Sequence, residues 1–335
     1  MNQYPDISVV IPVRNESRYI DKCVLSLFAQ TYSQEKMQII FVDGQSNDDT
    51  VERIYALAKE NSREVVVLAN PQRITPVAMN IGINHASGDY IVRLDAHSEY
   101  PPTYIEDCIK CIIKTDADNV GGIAWSQGDG YVGEAFAHLL TTKFGVGDSG
   151  FRTGAPSGYV DTVPFGTFKR ETFEKYGLYD ERLVRNQDSE LNARIIKNGG
   201  KIYLDNTIEL TYKCRNTFAG IAKQNYGNGK WNIITSYLCP GAMRLRHFIP
   251  FLFVLSLIVL IPLSFVSFPL FRWALYAELG LYFLLDFIFS AKVAANKGLK
   301  FLPILLIMYP FLHVCYGMGS IIGIFSIPKF RGEKQ

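Results

Sequence analysis

The sequence predicts an α/β domain, a mostly parallel sheet flanked by helices, followed by a transmembrane helical region. Three observations predict it. Short apolar runs rich in β-branched residues alternate with helix-like stretches from Ile7 to His97 at the spacing of βαβ units. Polar residues fall just past the ends of those runs, where open α/β sheets bind ligands. Residues 1–247 carry most of the charge, whereas the last third is strongly apolar.

A length of 335 residues suits one large domain or two ordinary ones. A net charge of +2 argues against nucleic acid as a partner. Six scattered cysteines (Cys23, Cys108, Cys111, Cys214, Cys239, Cys315) form no disulfide framework, which suits a reducing compartment. Cys108 and Cys111 make a CxxC inside a helical-looking run and read as core-facing residues, since a second pair to complete a zinc site is missing. Met1–Asp6 has neither a basic region nor an apolar stretch, so no signal peptide is expected and the soluble part belongs in the cytoplasm.

Ile7–Val13 is a continuous apolar run, as in a strand buried on both faces. Arg14–Ser17 breaks it, and Ile20, Cys23, Val24, Leu27 and Phe28 then mark one side of a helix. A second strand, Met37–Val42, ends at Asp43. The turn 44–50 follows, where Asp48 or Asp49 can cap a helix beginning near Thr50. Val65–Leu68 reads as a third strand and Ala78–His85 as a short helix.

Asp89–His97 reads as a buried strand entered through Ser87-Gly88 and ending in Asp95-Ala96-His97. A carboxylate and an imidazole one residue apart at a strand end suit a manganese or magnesium ion with open positions for a diphosphate. A solvated loop carrying an unrelated acid and histidine is the competing reading. The placement of Asn15, Asp43 and Asp95 past three strand ends favours the metal.

The ordered set Val10–Glu16, Val42–Thr50, Asn80–Ile83 with Ala86–Asp89, and Asp95–His97 resembles the family 2 glycosyltransferases of the GT-A fold. It is similar in particular to the bacterial membrane-anchored branch of the succinoglycan glucosyltransferases, in which Asp-Ala-His replaces Asp-x-Asp. The resemblance covers about residues 7–240 and continues into the tail. It implies that Asp43 binds the nucleotide base, that Asp95 and His97 bind the metal and the sugar diphosphate, and that Pro12, Asn15, Glu16, Asn80 and Arg93 complete the donor site.

Residues 117–150 carry less information. Val120–Ile123 suits an inner strand, Gly145–Gly150 a mobile loop, and Val160–Phe168 a further strand and turn leading through Lys169 and Arg170 into a helix. In Val184–Ile195 the spacing of Leu191 and Ile195 places Asp188 and Glu190 in a helix's first turn, where the macrodipole favours negative charge. Capping is therefore one reading. The resemblance supplies the other: Gln187-Asp188 stands where the family has Glu-Asp, which implies Asp188 as the general base, with Glu190 shaping the site. The segment Gln224–Trp231 follows a helix-like Ala219–Lys223. The resemblance makes Gln224, Lys230 and Trp231 candidates for diphosphate and acceptor contact, against a plain glycine-made surface turn. The family's Gln-x-x-Arg-Trp is not literally present, which argues against processive polymerisation.

These boundaries predict a cytoplasmic glycosyltransferase domain over 1–240 and a membrane anchor over 241–335, with segments at 248–268, 272–291 and 301–326. Glu278 and Asp286 in the second segment should face other helices. Arg244, Arg246, Lys292, Lys297 and Lys300 place the catalytic domain and the second loop on the cytoplasmic side. A full third span would put Lys329, Arg331 and Lys334 outside, against that rule. The expected activity is inverting, metal-dependent transfer of a hexose from a nucleotide-diphospho-sugar, UDP-linked by the resemblance, to a lipid-linked glycan at the bacterial inner membrane. Other polysaccharide-assembly proteins are natural partners. A dinucleotide oxidoreductase is disfavoured because no Gly-x-Gly-x-x-Gly follows the first strand. A membrane-anchored protein that only binds sugar nucleotides is the remaining alternative.

Overall fold

The computed structural model describes residues 4–265 and 268–332. Val266 and Ser267 of the first expected span, and Lys334, lie outside the described residues. The chain forms two compact units, Met1–Trp125 with Gly154–Lys213 and Ser126–Thr153 with Cys214–Gln335.

The first unit opens with β1 (Ile7–Val13), whose side chains are buried on both faces apart from a half-buried Pro12. Helix α1 (Ile20–Phe28) buries the five residues marked by the periodicity. Strand β2 (Met37–Asp43) leads to α2 (Thr50–Glu60), where Asp48 Oδ1 accepts from the Thr50 amide at 3.1 Å and its hydroxyl at 2.6 Å. After β3 (Val66–Ala69), α3 (Thr75–His85) begins earlier than expected, with Pro76 in its first turn. Gly82 lets α3 lie close to the sheet, because a Cβ there would come within 2.3 Å of Val10 Cγ1. Strand β4 (Tyr90–Arg93) stops two residues short of Asp95. Strand β5 (Ser98–Glu99), α4 (Tyr104–Thr115) and β6 (Asn119–Gln127) follow, and α4 buries the free Cys108 and Cys111.

The expected mobile glycine loop is instead partly helical. After α5 (Gly130–Leu139), it is divided between α6 (Lys143–Val146) and α7 (Gly150–Thr153), with Thr142 Oγ1 capping α6 through the Gly145 amide at 3.1 Å. The next expectation also changes. Only β7 (Gly158–Tyr159) and β8 (Thr167–Lys169) are strands, because Pro164 and Phe165, at φ +46°, interrupt the run. Helices α8 (Arg170–Tyr176) and α9 (Gln187–Lys197) precede β9 (Ile202–Lys213). That last strand was missed: Ile202, Leu204, Ile208 and Leu210 are buried at even spacing, but Asp205, Asn206 and Glu209 between them mask the pattern.

Among the described residues the strands form one sheet, ordered β3-β2-β1-β4-β8-β6-β9-β5, with β7 on β9. The pairs β3–β2–β1–β4 are parallel, whereas β4–β8, β6–β8, β5–β9 and β7–β9 are antiparallel. The sheet is thus mixed, with its parallel half at the N-terminal side. Register aligns the carboxyl ends of that half: Val13 pairs with Asp43, Asp43 with Ala69, and Val10 with Arg93.

In the second unit α10 (Phe218–Leu238) is one continuous helix, so Gln224, Lys230 and Trp231 sit on a helix and not at a glycine turn. Its Gly229 meets the Tyr316 carbonyl, where a Cβ would come within 1.9 Å. Helices α11 (Ile249–Leu263), α12 (Pro269–Lys297) and α13 (Leu302–Ser326) complete the unit. Two helical stretches, 269–297 and 299–330, are long and apolar enough to cross a membrane. At 15 residues α11 reaches only about 22 Å.

Candidate active site

A cavity of about 270 Å³ opens at the carboxyl ends of β1, β2 and β4, entirely within the first unit. Pro12, Val13, Arg14 and Glu16 contribute from the end of β1 and its following loop. Val42 and Gly44 come from β2 and its turn, and Asn70, Arg73, Ile74, Thr75 and Ala78 from the β3–α3 connection. Arg93, Asp95, Ala96 and His97 come from β4 and its continuation, and Gln187 from the start of α9.

Arg93 organises this cavity. Its side chain is 8% exposed; Nη1 pairs with the Asp188 carboxylate and Nη2 lies 3.4 Å from Asp95 Oδ1. Burial disfavours the charged guanidinium, but Asp188 and then Asp95 outweigh it, holding Arg93 charged well above its ordinary range. The buried Tyr179 hydroxyl sits in the same field, and burial first and the Asp188 charge second push its ionisation upward. Asp188 itself is one-third open to solvent in the first turn of α9, a helix entered through Asn186 in the left-handed conformation, φ +65°.

Asp95 and His97 line the same cavity, and Glu16 Oε1 lies 3.6 Å from His97 Nδ1. Among the described residues no three His, Cys, Asp or Glu side chains converge as a metal-holding group. A carboxylate and an imidazole facing one cavity nevertheless fit a manganese or magnesium ion that takes its other ligands from phosphate oxygens and water.

Asn15 and Asp43 shape loops beside the cavity. Asn15, at φ +54°, accepts the Asn47 amide on Oδ1 at 2.9 Å and donates its own amide to Ser46 Oγ at 2.9 Å. Asp43 accepts the Ser46 amide at 3.1 Å and its hydroxyl at 2.6 Å. Asn80 lies apart from the cavity. Its amide donates to the Tyr179 carbonyl and Glu181 Oε1, both at 2.9 Å, and accepts the Tyr179 amide at 2.9 Å. Glu190 is engaged elsewhere too, accepting from Arg194 Nε at 2.9 Å and Nη2 at 2.7 Å, while Arg194 also donates to the Leu178 carbonyl. Gln224, Lys230 and Trp231 belong to α10 of the second unit.

The β3–α3 connection escaped the sequence reading. Asn70 and Arg73 line the cavity from it, and Arg73, at φ +61°, donates through Nε to Gln45 Oε1 at 2.7 Å. The signal was available, since this is another strand-to-helix loop at the carboxyl edge.

Comparison with known proteins gives a consistent picture. The model of the family described as glycosyl transferase family 2 matches residues 8–177. The succinoglycan biosynthesis protein ExoA of Rhizobium meliloti is 31% identical over 247 residues, 72% of this chain and 73% of its own. A dolichyl N-acetyl-alpha-D-glucosaminyl phosphate 3-beta-D-2,3-diacetamido-2,3-dideoxy-beta-D-glucuronosyltransferase of Methanococcus voltae is 28% identical over 264 residues, covering 76% of this chain and 81% of its own. Among solved structures, the mannosyltransferase PcManGT from Pyrobaculum calidifontis, in complex with GDP-Man and Mn2+, is similar with a TM-score of 0.66, covering 97% of this chain and 88% of its own. Staphylococcus aureus TarS residues 1–349, in complex with UDP-GlcNAc, is similar at 0.52, covering 95% and 91%. At 14% and 13% identity these two likenesses concern the fold, which is GT-A-like.

Proposed function

The chain belongs to glycosyl transferase family 2 and is a glycosyltransferase, and from that premise we propose that it transfers a hexose, with inversion, from a UDP-linked sugar to a lipid-linked saccharide. The reading places this step in polysaccharide assembly at the inner face of a bacterial membrane. The observation that carries it is the Arg93 bridge, which joins Asp188 to Asp95 at the wall of one cavity.

Inverting transfer needs a single carboxylate to take the acceptor's proton as its oxygen attacks the anomeric carbon. Asp188 fills that role: it pairs with Arg93 of the cavity wall and keeps about a third of its side chain open to an incoming hydroxyl. Arg93 fixes the orientation of that carboxylate. Arg14 and Arg73 line the cavity besides the carboxylate-paired Arg93, and their cationic heads suit a nucleoside diphosphate as the leaving group. The Asn15–Ser46–Asp43 hydrogen bonds hold the two loops against which the nucleoside end would rest. Asp95 and His97 would hold a divalent cation, which when bound neutralises the charge developing on the departing diphosphate.

The ExoA relative and its printed role in succinoglycan biosynthesis support polysaccharide assembly as the setting. The apolar second unit supports an acceptor that resides in the bilayer. The test is release of nucleoside diphosphate from a panel of UDP-, GDP- and dTDP-sugars by membranes containing the protein, with manganese and with chelator. Release from one UDP-sugar, lost with chelator and in Asp188→Asn, is the expected result. An unimpaired Asp188→Asn enzyme would remove the assigned base, and chelator-resistant release would remove the metal.

A further inference from the structure

Asp95 and His97 reach the cavity from one tight turn beyond β4, and a single buried hydroxyl holds that turn from behind. We infer that Tyr100 is a positioning residue for the divalent cation: through the Asp95 backbone it sets the turn that carries both side chains. The inference rests on the reading of Asp95 and His97 as the protein ligands of that cation.

The sheet stops serving the backbone at this point. Strand β4 ends at Arg93, and the Leu94 amide still donates to the Val10 carbonyl at 3.1 Å. One residue later, both main-chain groups of Asp95 turn to Tyr100. The Asp95 amide donates to the Tyr100 hydroxyl at 2.8 Å, and that hydroxyl donates to the Asp95 carbonyl at 3.2 Å. A backbone group that leaves the sheet needs another partner, and here one side chain serves two. The Ser98 amide donates to the same carbonyl at 3.3 Å, and the buried Cys23 Sγ lies 3.8 Å from it. The Ser98 bond closes a four-residue turn, with Asp95 at its first position and His97 at its third.

Other contacts orient the two side chains once the turn is set. Arg93 Nη2 meets the Asp95 carboxylate at 3.4 Å, and Glu16 Oε1 faces His97 Nδ1 at 3.6 Å. Ser98 pairs with Tyr212 of β9, whose ring meets the His97 imidazole edge-on with centroids 6.4 Å apart. None of these contacts touches the Asp95 amide. Tyr100 alone grips the Asp95 backbone from both sides.

Packing does not require the hydroxyl. Tyr100 is 4% exposed, and its ring lies 5.1 Å from that of Tyr104 and edge-on to Phe165 at 6.3 Å. A phenylalanine would keep those ring contacts and lose only the two bonds to Asp95. Tyr104 offers a matched comparison, since its buried hydroxyl donates to the Phe165 carbonyl at 3.3 Å and makes no bond to Asp95. Loss of a group that orients a metal ligand typically lowers metal affinity by about 10- to 100-fold.

The test measures Mn2+ binding to the full chain in detergent, with UDP present, from the paramagnetic resonance signal of free Mn2+. The parent, Tyr100→Phe, Tyr104→Phe and Asp95→Asn are compared, together with their denaturation midpoints and with UDP binding under chelator. A Mn2+ dissociation constant raised about 10-fold or more in Tyr100→Phe is expected. Metal-free UDP binding should stay parental, and Tyr104→Phe should bind Mn2+ as the parent does. Parental Mn2+ binding in Tyr100→Phe, or an equal loss in both tyrosine variants, would overturn the inference. A Tyr100→Phe chain that no longer folds would make the hydroxyl a part of the fold and overturn it as well. A parent that binds no Mn2+, or an Asp95→Asn variant that binds it unimpaired, would instead overturn the metal reading underneath.

Discussion

The Arg93 guanidinium, at the end of a central strand, forms a buried ion pair with Asp188, in the first turn of a helix far along the chain. This contact ties the cavity wall to the carboxylate proposed as base. Removing Arg93 would leave two carboxylates without their shared cation. Arg93→Ala is expected to destabilise the protein by about 3 kcal/mol, the low end for a broken buried pair because Asp188 is partly solvated. Arg93→Lys is expected to restore much of the stability but not the transfer rate, since one ammonium cannot hold two carboxylates in a fixed geometry. Chemical denaturation and nucleotide-release kinetics measured together check both statements.

Asp188→Asn keeps the shape of the side chain and removes the proposed proton acceptor. A fall in kcat of about 10²–10⁴ is expected, with donor KM within a few-fold of the parent. A matching rise in donor KM would instead mark Asp188 as a binding residue.

His97→Ala is expected to raise the manganese concentration needed for half-maximal activity by at least 10-fold or so, the lower range for loss of a group that merely orients a ligand. Metal titration of the initial rate is the measurement. Asp95→Ala should act more severely, because it also takes one partner from Arg93.

Asn80 was expected at the donor, yet it clamps both backbone groups of Tyr179, whose side chain is buried beside Arg93 and Asp188. Asn80→Ala orphans those groups and is expected to cost about 2 kcal/mol of stability. Donor KM should change little. A donor KM raised tenfold in a variant of parental stability would return Asn80 to the binding site.

Asp48 ties the start of α2 to the loop after β1 by accepting from Thr50 and from the Ser17 amide. Its burial favours the neutral acid, but these hydrogen bonds prevail and lower its pKa to about 2. A depressed folded-state value means that the stabilisation is present above the ordinary carboxylate range and is lost as pH falls from about 4 towards 2. Asp48→Asn is expected to flatten the stability profile across that window, read from denaturation midpoints at stepped pH.

The sequence by itself determined the parallel half of the sheet and the loops beyond its strands. Its strands are short and apolar, and their polar residues follow at fixed offsets, so local pattern and chain order are enough to read Pro12, Glu16, Asp95 and His97 onto one edge. Tertiary structure decided the rest. Asn80 is a donor-site candidate in one dimension, but in space the backbone of Tyr179, distant in sequence, engages it, whereas Glu190 pairs with Arg194 one turn along its own helix. The Asp188 contact with Arg93, the entry of Arg73 and the packing of α13 on α10 all depend on elements distant in sequence. Periodicity reports which face of an element is apolar. Only packing determines what that face meets.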